Sequence, residues 1–215
     1  MIPQSLKNAL KQLTPLYKVY KILFRNSSGS RDTNIPDMDI KRGDILSIAH
    51  INKNATVFIE TGTYFGDTTN FFKDSFTTLY SIELSEELAE KAKRRFESVT
   101  NIKIVQGNSK EQINNILDEV NSTCLFWLDG HYSTEFWVGN EYIRTAKGDK
   151  VTPILDELSQ IAKHSIKNHV ILIDDARLFN GNDDYPKIET LKKFVAKKFP
   201  QHRFEIQNDI IRILP

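Results

Sequence analysis

The chain has 215 residues, 40% of them apolar and 27% charged, which fits one soluble globular domain with a full core. Its 29 basic and 28 acidic residues leave a net charge of +1 and exclude the positive excess of a nucleic-acid binder. A single cysteine, Cys124, excludes an internal disulfide framework and a cysteine-based zinc cluster, and its setting in CLFWL reads as a buried, inert thiol.

Residues 1–31 stand apart from the rest. They hold six basic residues (Lys7, Lys11, Lys18, Lys21, Arg25, Arg31) and no acid, while Leu6, Leu10, Leu13, Tyr17, Tyr20 and Phe24 recur at helical spacing. This is a basic amphipathic helical extension, interrupted at Pro15 and followed by a linker at Asn26–Arg31. Two partners suit it: the surface of its own domain or of a second copy in a homo-oligomer, and an anionic membrane surface in peripheral contact. No run of about 18 apolar residues and no signal-peptide pattern is present, so a cytoplasmic location, with or without that membrane contact, is expected.

Residues 32–215 read as one domain. A short helix over 38–50 precedes Val57–Glu60, the first of five strand patterns, followed by Leu79–Glu83, Ile102–Gln106, Cys124–Asp129 and His169–Asp174. Helical patterns lie between them at Thr68–Lys73, Glu86–Ser98, Lys110–Glu119 and Pro153–His164. The alternation calls for βαβ units and an α/β, doubly wound, mostly parallel sheet. After a helix at Lys187–Phe199, the strands Arg203–Gln207 and Ile210–Leu214 are joined only by Asn208-Asp209, which permits nothing but an antiparallel hairpin. A dinucleotide-binding fold would end in a parallel sixth strand and carry G-x-G-x-x-G; this chain has the hairpin and a G-x-x-x-G.

In such sheets ligands gather at the carboxyl ends of the strands. The first strand ends in Glu60-Thr61-Gly62, with Gly66 four residues on and a helix opening at Asp67-Thr68-Thr69, the arrangement of a nucleotide-binding turn. Glu83, 21 residues after Gly62, has the spacing of an acid that accepts hydrogen bonds from ribose hydroxyls. Asn108 and Ser109 suit an adenine edge or a helix cap, roles that are compatible. Asp129, Asp174 and Asp175 come from adjacent strand tips, and three hard oxygen donors suit Mg²⁺ or a similar divalent cation; the alternative is that Asp129 meets a cofactor while Asp174-Asp175 cap a loop. His131 is the one histidine beside these acids and the natural general base, its alternative being to order the loop. The other histidines look structural. Residues 130–152 form a long polar-aromatic insertion whose Tyr132, Phe136, Trp137, Tyr142 and Arg144 offer stacking surface and charge to a substrate.

The E-x-G-x-Y-x-G of Glu60–Gly66, together with Glu83, Gly107-Asn108-Ser109, Asp129 and the terminal hairpin, resembles the class I S-adenosylmethionine-dependent methyltransferases over residues 56–215. The resemblance implies a Rossmann-like seven-stranded sheet whose last strand inserts antiparallel. It also implies cofactor contacts at Glu60, Gly62, Thr63, Tyr64, Gly66, Thr68, Glu83, Asn108, Ser109 and Asp129. Tyr64 at the middle-glycine position is similar to the catechol O-methyltransferase-like branch, where the metal ligands fall at Asp129, Asp174 and Asp175. FWLDGHYS, KGD, TPIL-DEL and ILIDDARLF resemble small bacterial methyltransferases, some of which accompany polysaccharide or glycosylation genes. The implied activity is methyl transfer to a hydroxylated small molecule, sugar or glycan, assisted by a divalent cation. Its rivals are a metal-independent transferase acting on another acceptor and a non-catalytic binding protein on the same fold. Two features depart from the family: Tyr132 stands where the catechol enzymes place a lysine base, and the basic N-terminal helix has no counterpart.

Overall fold

The computed structural model describes residues 35–131 and 150–215, and the backbone of Phe136–Val138 and Glu141–Ile143. The extension at 1–31, most of the 130–152 insertion, and Tyr132 and Arg144 with it, lie outside the described residues.

Helix α1 (Met38–Ile51) starts at Asp37, whose carboxylate caps the Asp39 and Ile40 amides. Strands β1 (Ala55–Thr61), β2 (Thr78–Glu83), β3 (Ile102–Gln106) and β4 (Thr123–Leu128) alternate with α2 (Asp67–Phe72), α3 (Glu86–Arg95) and α4 (Ser109–Glu119). A two-stranded ribbon, β5 (Phe136–Val138) and β6 (Glu141–Ile143), pairs Trp137 with Tyr142 inside the insertion that the sequence reading treats as loop. The signal was Gly139-Asn140 between two short aromatic, β-branched runs. Then follow α5 (Ile154–Lys163), β7 (Val170–Ile173), a 3₁₀ turn (Ala176–Leu178), α6 (Ile188–Lys198), β8 (Arg203–Gln207) and β9 (Ile210–Leu214).

The seven-stranded sheet has the order β3-β2-β1-β4-β7-β9-β8. The pairs β3-β2, β2-β1, β1-β4 and β4-β7 are parallel, and β9 is antiparallel to both β7 and β8. The hairpin turns at Asn208 and Asp209, both at positive φ (53° and 60°), as a tight two-residue connection requires.

Alternation along each strand divides the core between two helical layers. Val57, Ile59, Phe126, Leu128, Ile171 and Ile173 face α4, α5 and α6 through Ile113, Leu158 and Leu191. Phe58, Leu79, Leu125, Trp127 and Leu172 face Ile45 and Ile48 of α1, Phe72 of α2 and Phe96. Trp127 is therefore core, and Cys124 is a buried free thiol whose pKa burial pushes up to about 12.

Histidines organise the opposite end of the sheet. The Cys124 amide donates to His169 Nδ1 (3.0 Å), His169 Nε2 lies 2.8 Å from His164 Nδ1, and His164 Nε2 lies 3.0 Å from the Val120 carbonyl. This chain closes only if His169 is neutral with its proton on Nε2. Burial, with the charges of His164, His202 and Lys167, lowers its pKa from 6.5 to about 4. The histidine therefore stabilises the fold fully above its unfolded pKa and loses that contribution as pH falls from 6.5 towards about 4. Relative to His169→Asn, the wild type should lose about 2 kcal/mol of its advantage between about pH 7.5 and about pH 5 in urea titrations. An unchanged difference would show that His169 does not titrate this way.

Candidate active site

The registers place four strand tips side by side: Thr61 lies opposite Ile82 and Leu128, and Leu128 opposite Ile173. Beyond them the chain keeps pairing. Gly62 and Thr63 donate to the Ile82 carbonyl (2.9 and 3.3 Å), Asp129 to that of Thr61 (3.2 Å), and Asp174 to that of Leu128 (3.1 Å). Every acid that the sequence assigns to these tips therefore sits on one edge.

The turn after β1 depends on backbone that ordinary side chains resist. Gly62 has φ +84°, and a Cβ there would lie 2.7 Å from the Asp129 carbonyl oxygen. Tyr64 takes φ +51° and Gly66 φ +75°. Glu60 is buried, and its Oε2 accepts from the Ser81 hydroxyl (2.7 Å) and from the Thr69 hydroxyl. Ser81 also lies 2.7 Å from the Thr63 hydroxyl, so Glu60, Thr63 and Thr69 form one network beneath the turn. Burial raises Glu60 to about 7, against the hydrogen bonds of Thr69 and Ser81. Thr68 accepts from the guanidinium of Arg42 (3.2 Å).

Glu83 closes the tip of β2. Its Oε2 accepts from the Tyr64 amide (2.8 Å) and its Oε1 from the Ser85 amide (2.9 Å). Burial raises its pKa, and those amides oppose the rise. One carboxylate thus braces the positive-φ turn and keeps further lone pairs at the edge. Asn108 caps α4 through the Lys110 amide (3.2 Å), and Ser109 is buried at the helix start. Near it, Glu157 of α5 is buried, with the hydroxyls of Ser109 and Thr61 as its donors and Oε1 without a hydrogen-bond partner among the described residues. Burial raises Glu157 to about 7. With the Asp129–His131 segment, Tyr185 and Phe179, it lines a small cavity.

At the β4 and β7 tips, His131 Nδ1 is 3.4 Å from Asp129 Oδ1, and its Nε2 is 3.8 Å from Asp175 Oδ2. Burial would lower the His131 pKa, but the hydrogen bond and charge of Asp129, with Asp175 and Asp174, outweigh it and the net shift is upward. Asp175 adopts φ +56°. Its own burial would raise its pKa, yet Lys41, Arg177 and His131 hold it below the usual carboxylate range.

The edge also holds cations that the sequence reading missed. Lys41 of α1 is 3% exposed, and its Nζ pairs with Asp174, with Asp175 at 3.2 Å and with Asp209 of the hairpin turn at 3.4 Å. Arg177 pairs with Asp175 at 2.6 Å and with Asp209. Burial alone would lower Lys41, but Asp174 and Asp175 keep it an ammonium with a raised pKa. Burial and the charges of Asp129 and Asp175 raise the Asp174 pKa, against the opposing charge and hydrogen bond of Lys41. Asp129, His131 and Asp175 still bring one ligand atom each within 4.8 Å of one another. Asp174, Asp175 and Asp209 do the same, and Asp174 Oδ1 and Asp175 Oδ1, from the set Asp129, Asp174 and Asp175 expected to hold a divalent cation, accept from the Lys41 ammonium.

The missed residues share a detectable sign. Lys41 precedes Ile45 and Ile48 by four and seven residues, and Glu157 lies between Ile154 and Ile161 at steps of three and four. Both are charges on the apolar face of a helix.

Among solved structures, the SAH-bound methyltransferase PaMTH1 of Podospora anserina matches with TM-score 0.59 at 14% identity, over 99% of this chain and 88% of that one. The O-methyltransferase TomG of Streptomyces achromogenes, in complex with SAM, matches with TM-score 0.57 at 13% identity, over 100% and 99% of the two chains. An O-methyltransferase of Bacillus cereus in complex with SAH gives 0.57 at 15% identity, over 97% and 96%. The fold is that of the class I methyltransferases. No protein-family model and no curated protein matches the sequence. Within the methyltransferase fold, the Gly62–Gly66 turn, Glu83 and the Asn108-Ser109 cap occupy consecutive strand tips on one side of the edge, and His131 with its carboxylates occupies the other. No helix among the described residues is long and apolar enough to cross a membrane.

Proposed function

We propose that the chain is an S-adenosylmethionine-dependent O-methyltransferase whose acceptor is a hydroxyl group on a small molecule, sugar or glycan. The observation that carries this reading is Glu83, held at the β2 tip by the amides of Tyr64 and Ser85, beside a turn built on Gly62 and Gly66. A carboxylate so fixed suits a ribose diol, and the turn admits close approach of a ligand to the backbone. The methyltransferases that share the fold and carry SAM or SAH support the same reading.

S-Adenosylmethionine, when bound, supplies a sulfonium methyl that leaves as its S–C bond breaks and an O–C bond forms, with S-adenosylhomocysteine as the product. In this reading His131 takes the hydroxyl proton, and Asp129, 3.4 Å from its Nδ1, stabilises the imidazolium that results. Glu83 and the turn hold position; Asp129 and Asp175 set the charge at the acceptor end. Calorimetric titration of the intact chain with S-adenosylmethionine and with S-adenosylhomocysteine tests the reading. One-to-one binding of both is expected, with methyl transfer to hydroxylated acceptors. No binding of either ligand would remove its basis.

A further inference from the structure

The carboxylate cluster at the β4 and β7 tips already has its cation. Lys41 reaches it from α1, a helix whose place does not depend on the cluster. Ile45 and Ile48 bury its apolar face against the sheet, and Asp44 Oδ2 takes hydrogen bonds from Arg212 (2.7 Å) and from Asn208 Nδ2 (2.7 Å). Lys41 Nζ then lies within 3.4 Å of three carboxylates from two segments, Asp174 and Asp175 after β7 and Asp209 at the β8–β9 turn. Its three N–H groups match those three acceptors. Arg177 covers the remaining side of Asp175 and Asp209.

A divalent ion bound to Asp174 Oδ1 and Asp175 Oδ1 would have to sit where the ammonium sits, or against it. Mg²⁺ and Mn²⁺ suit octahedral oxygen coordination, with the ligand oxygens close around the ion. Here Asp174 Oδ1, Asp175 Oδ1 and Asp209 Oδ2 each accept from Lys41, and a second cation beside a buried ammonium is opposed at short range with little water to screen it. The Lys41 side chain is buried, 3% exposed, so removing its charge would leave the carboxylates around it without their partner.

We propose that Lys41 is the resident cation of this site, occupying the place of a divalent metal, so that the acceptor end of the edge carries fixed positive charge from the protein itself. Lys41 acts as a positioning residue: it orders Asp174 and Asp175, and through Asp175 the face presented to His131. The inference deepens the proposed methyltransferase reading by saying what supplies the positive charge at its acceptor end. Its test, however, measures metal binding and needs no methyl transfer.

The probe is Mn²⁺ itself, followed by the electron paramagnetic resonance signal of the free ion in titrations of the intact chain. Wild type should leave Mn²⁺ free, and Lys41→Arg should do the same. Lys41→Met, which keeps the length of the side chain and removes the charge, should bind one Mn²⁺ at least about 10-fold more tightly than wild type. Adding Asp174→Asn to Lys41→Met should abolish that binding. Should Lys41→Met prove unfolded by circular dichroism, recovery of the folded signal on adding Mn²⁺ is the equivalent supporting result, and failure to recover overturns the substitution of ammonium for metal. Stoichiometric Mn²⁺ binding by wild type, lost in Asp174→Asn or Asp129→Asn, overturns the proposal outright, as does a folded Lys41→Met with wild-type behaviour towards Mn²⁺. A chain that ignores S-adenosylmethionine but follows this Mn²⁺ pattern would lose the functional reading and keep the resident lysine.

Discussion

Glu83→Ala is expected to weaken S-adenosylmethionine binding by about 100-fold in calorimetric titration, the loss anticipated when hydrogen bonds to one charged group disappear. The carboxylate accepts from the Tyr64 amide at 2.8 Å, and in the proposed function it also accepts from a ribose diol. The alanine variant therefore loses the ligand contact and releases the turn together. Glu83→Gln is milder: it retains the shape and one acceptor oxygen, but it loses the charge and one of the two amide hydrogen bonds from Tyr64 and Ser85. It should bind about 10-fold more weakly than wild type. An affinity for Glu83→Ala within about threefold of wild type would show that the β2 tip holds no part of the ligand.

Gly62→Ala should cost about 2–4 kcal/mol of stability, seen as a fall of about 5–15 °C in Tm, and should remove measurable cofactor binding. Two effects combine at this position. The φ of +84° disfavours any side chain, and a Cβ would meet the Asp129 carbonyl oxygen at 2.7 Å. That oxygen belongs to backbone whose segment is pinned to β1, with the Asp129 amide on Thr61 O and the Gly130 amide on Thr61 Oγ1. The turn must then move away from β4. Gly66→Ala offers a graded comparison: its Cβ would meet the Phe96 ring, a side chain able to rotate, so the smaller loss is expected there. Equal stability of Gly62→Ala and wild type would contradict the close approach of the two tips.

His131 and Lys41 differ in how far local sequence could have led to them. His131 follows the β4 tip by a few residues, and its neighbours in space, Asp129 and Asp175, are acids at strand ends. The period-2 and helical patterns place such tips on one edge before any coordinates are known. Lys41 belongs to a helix before β1, and its three acceptors lie more than 130 residues further on. Nothing in the local pattern of α1 names them. The aromatic insertion shows a similar limit, since a three-residue ribbon of Phe136–Val138 with Glu141–Ile143 is too short to stand out by periodicity.

Sequence alone determined the alternation of strands and helices, the hairpin forced by Asn208-Asp209, and the acids that end the strands, because these follow from residue periodicity and turn chemistry over a few positions. It also marked the glycines that permit the first turn. Tertiary structure decided the charge balance of the site. Whether Asp174 and Asp175 face open space or an ammonium depends on where α1 packs, and that is set by Ile45, Ile48 and the Asp44–Arg212 pair across the sheet. The local pattern marks Lys41 as a charge on an apolar helix face but not its partners, because an ion pair spanning more than 130 residues is set by packing and not by local periodicity.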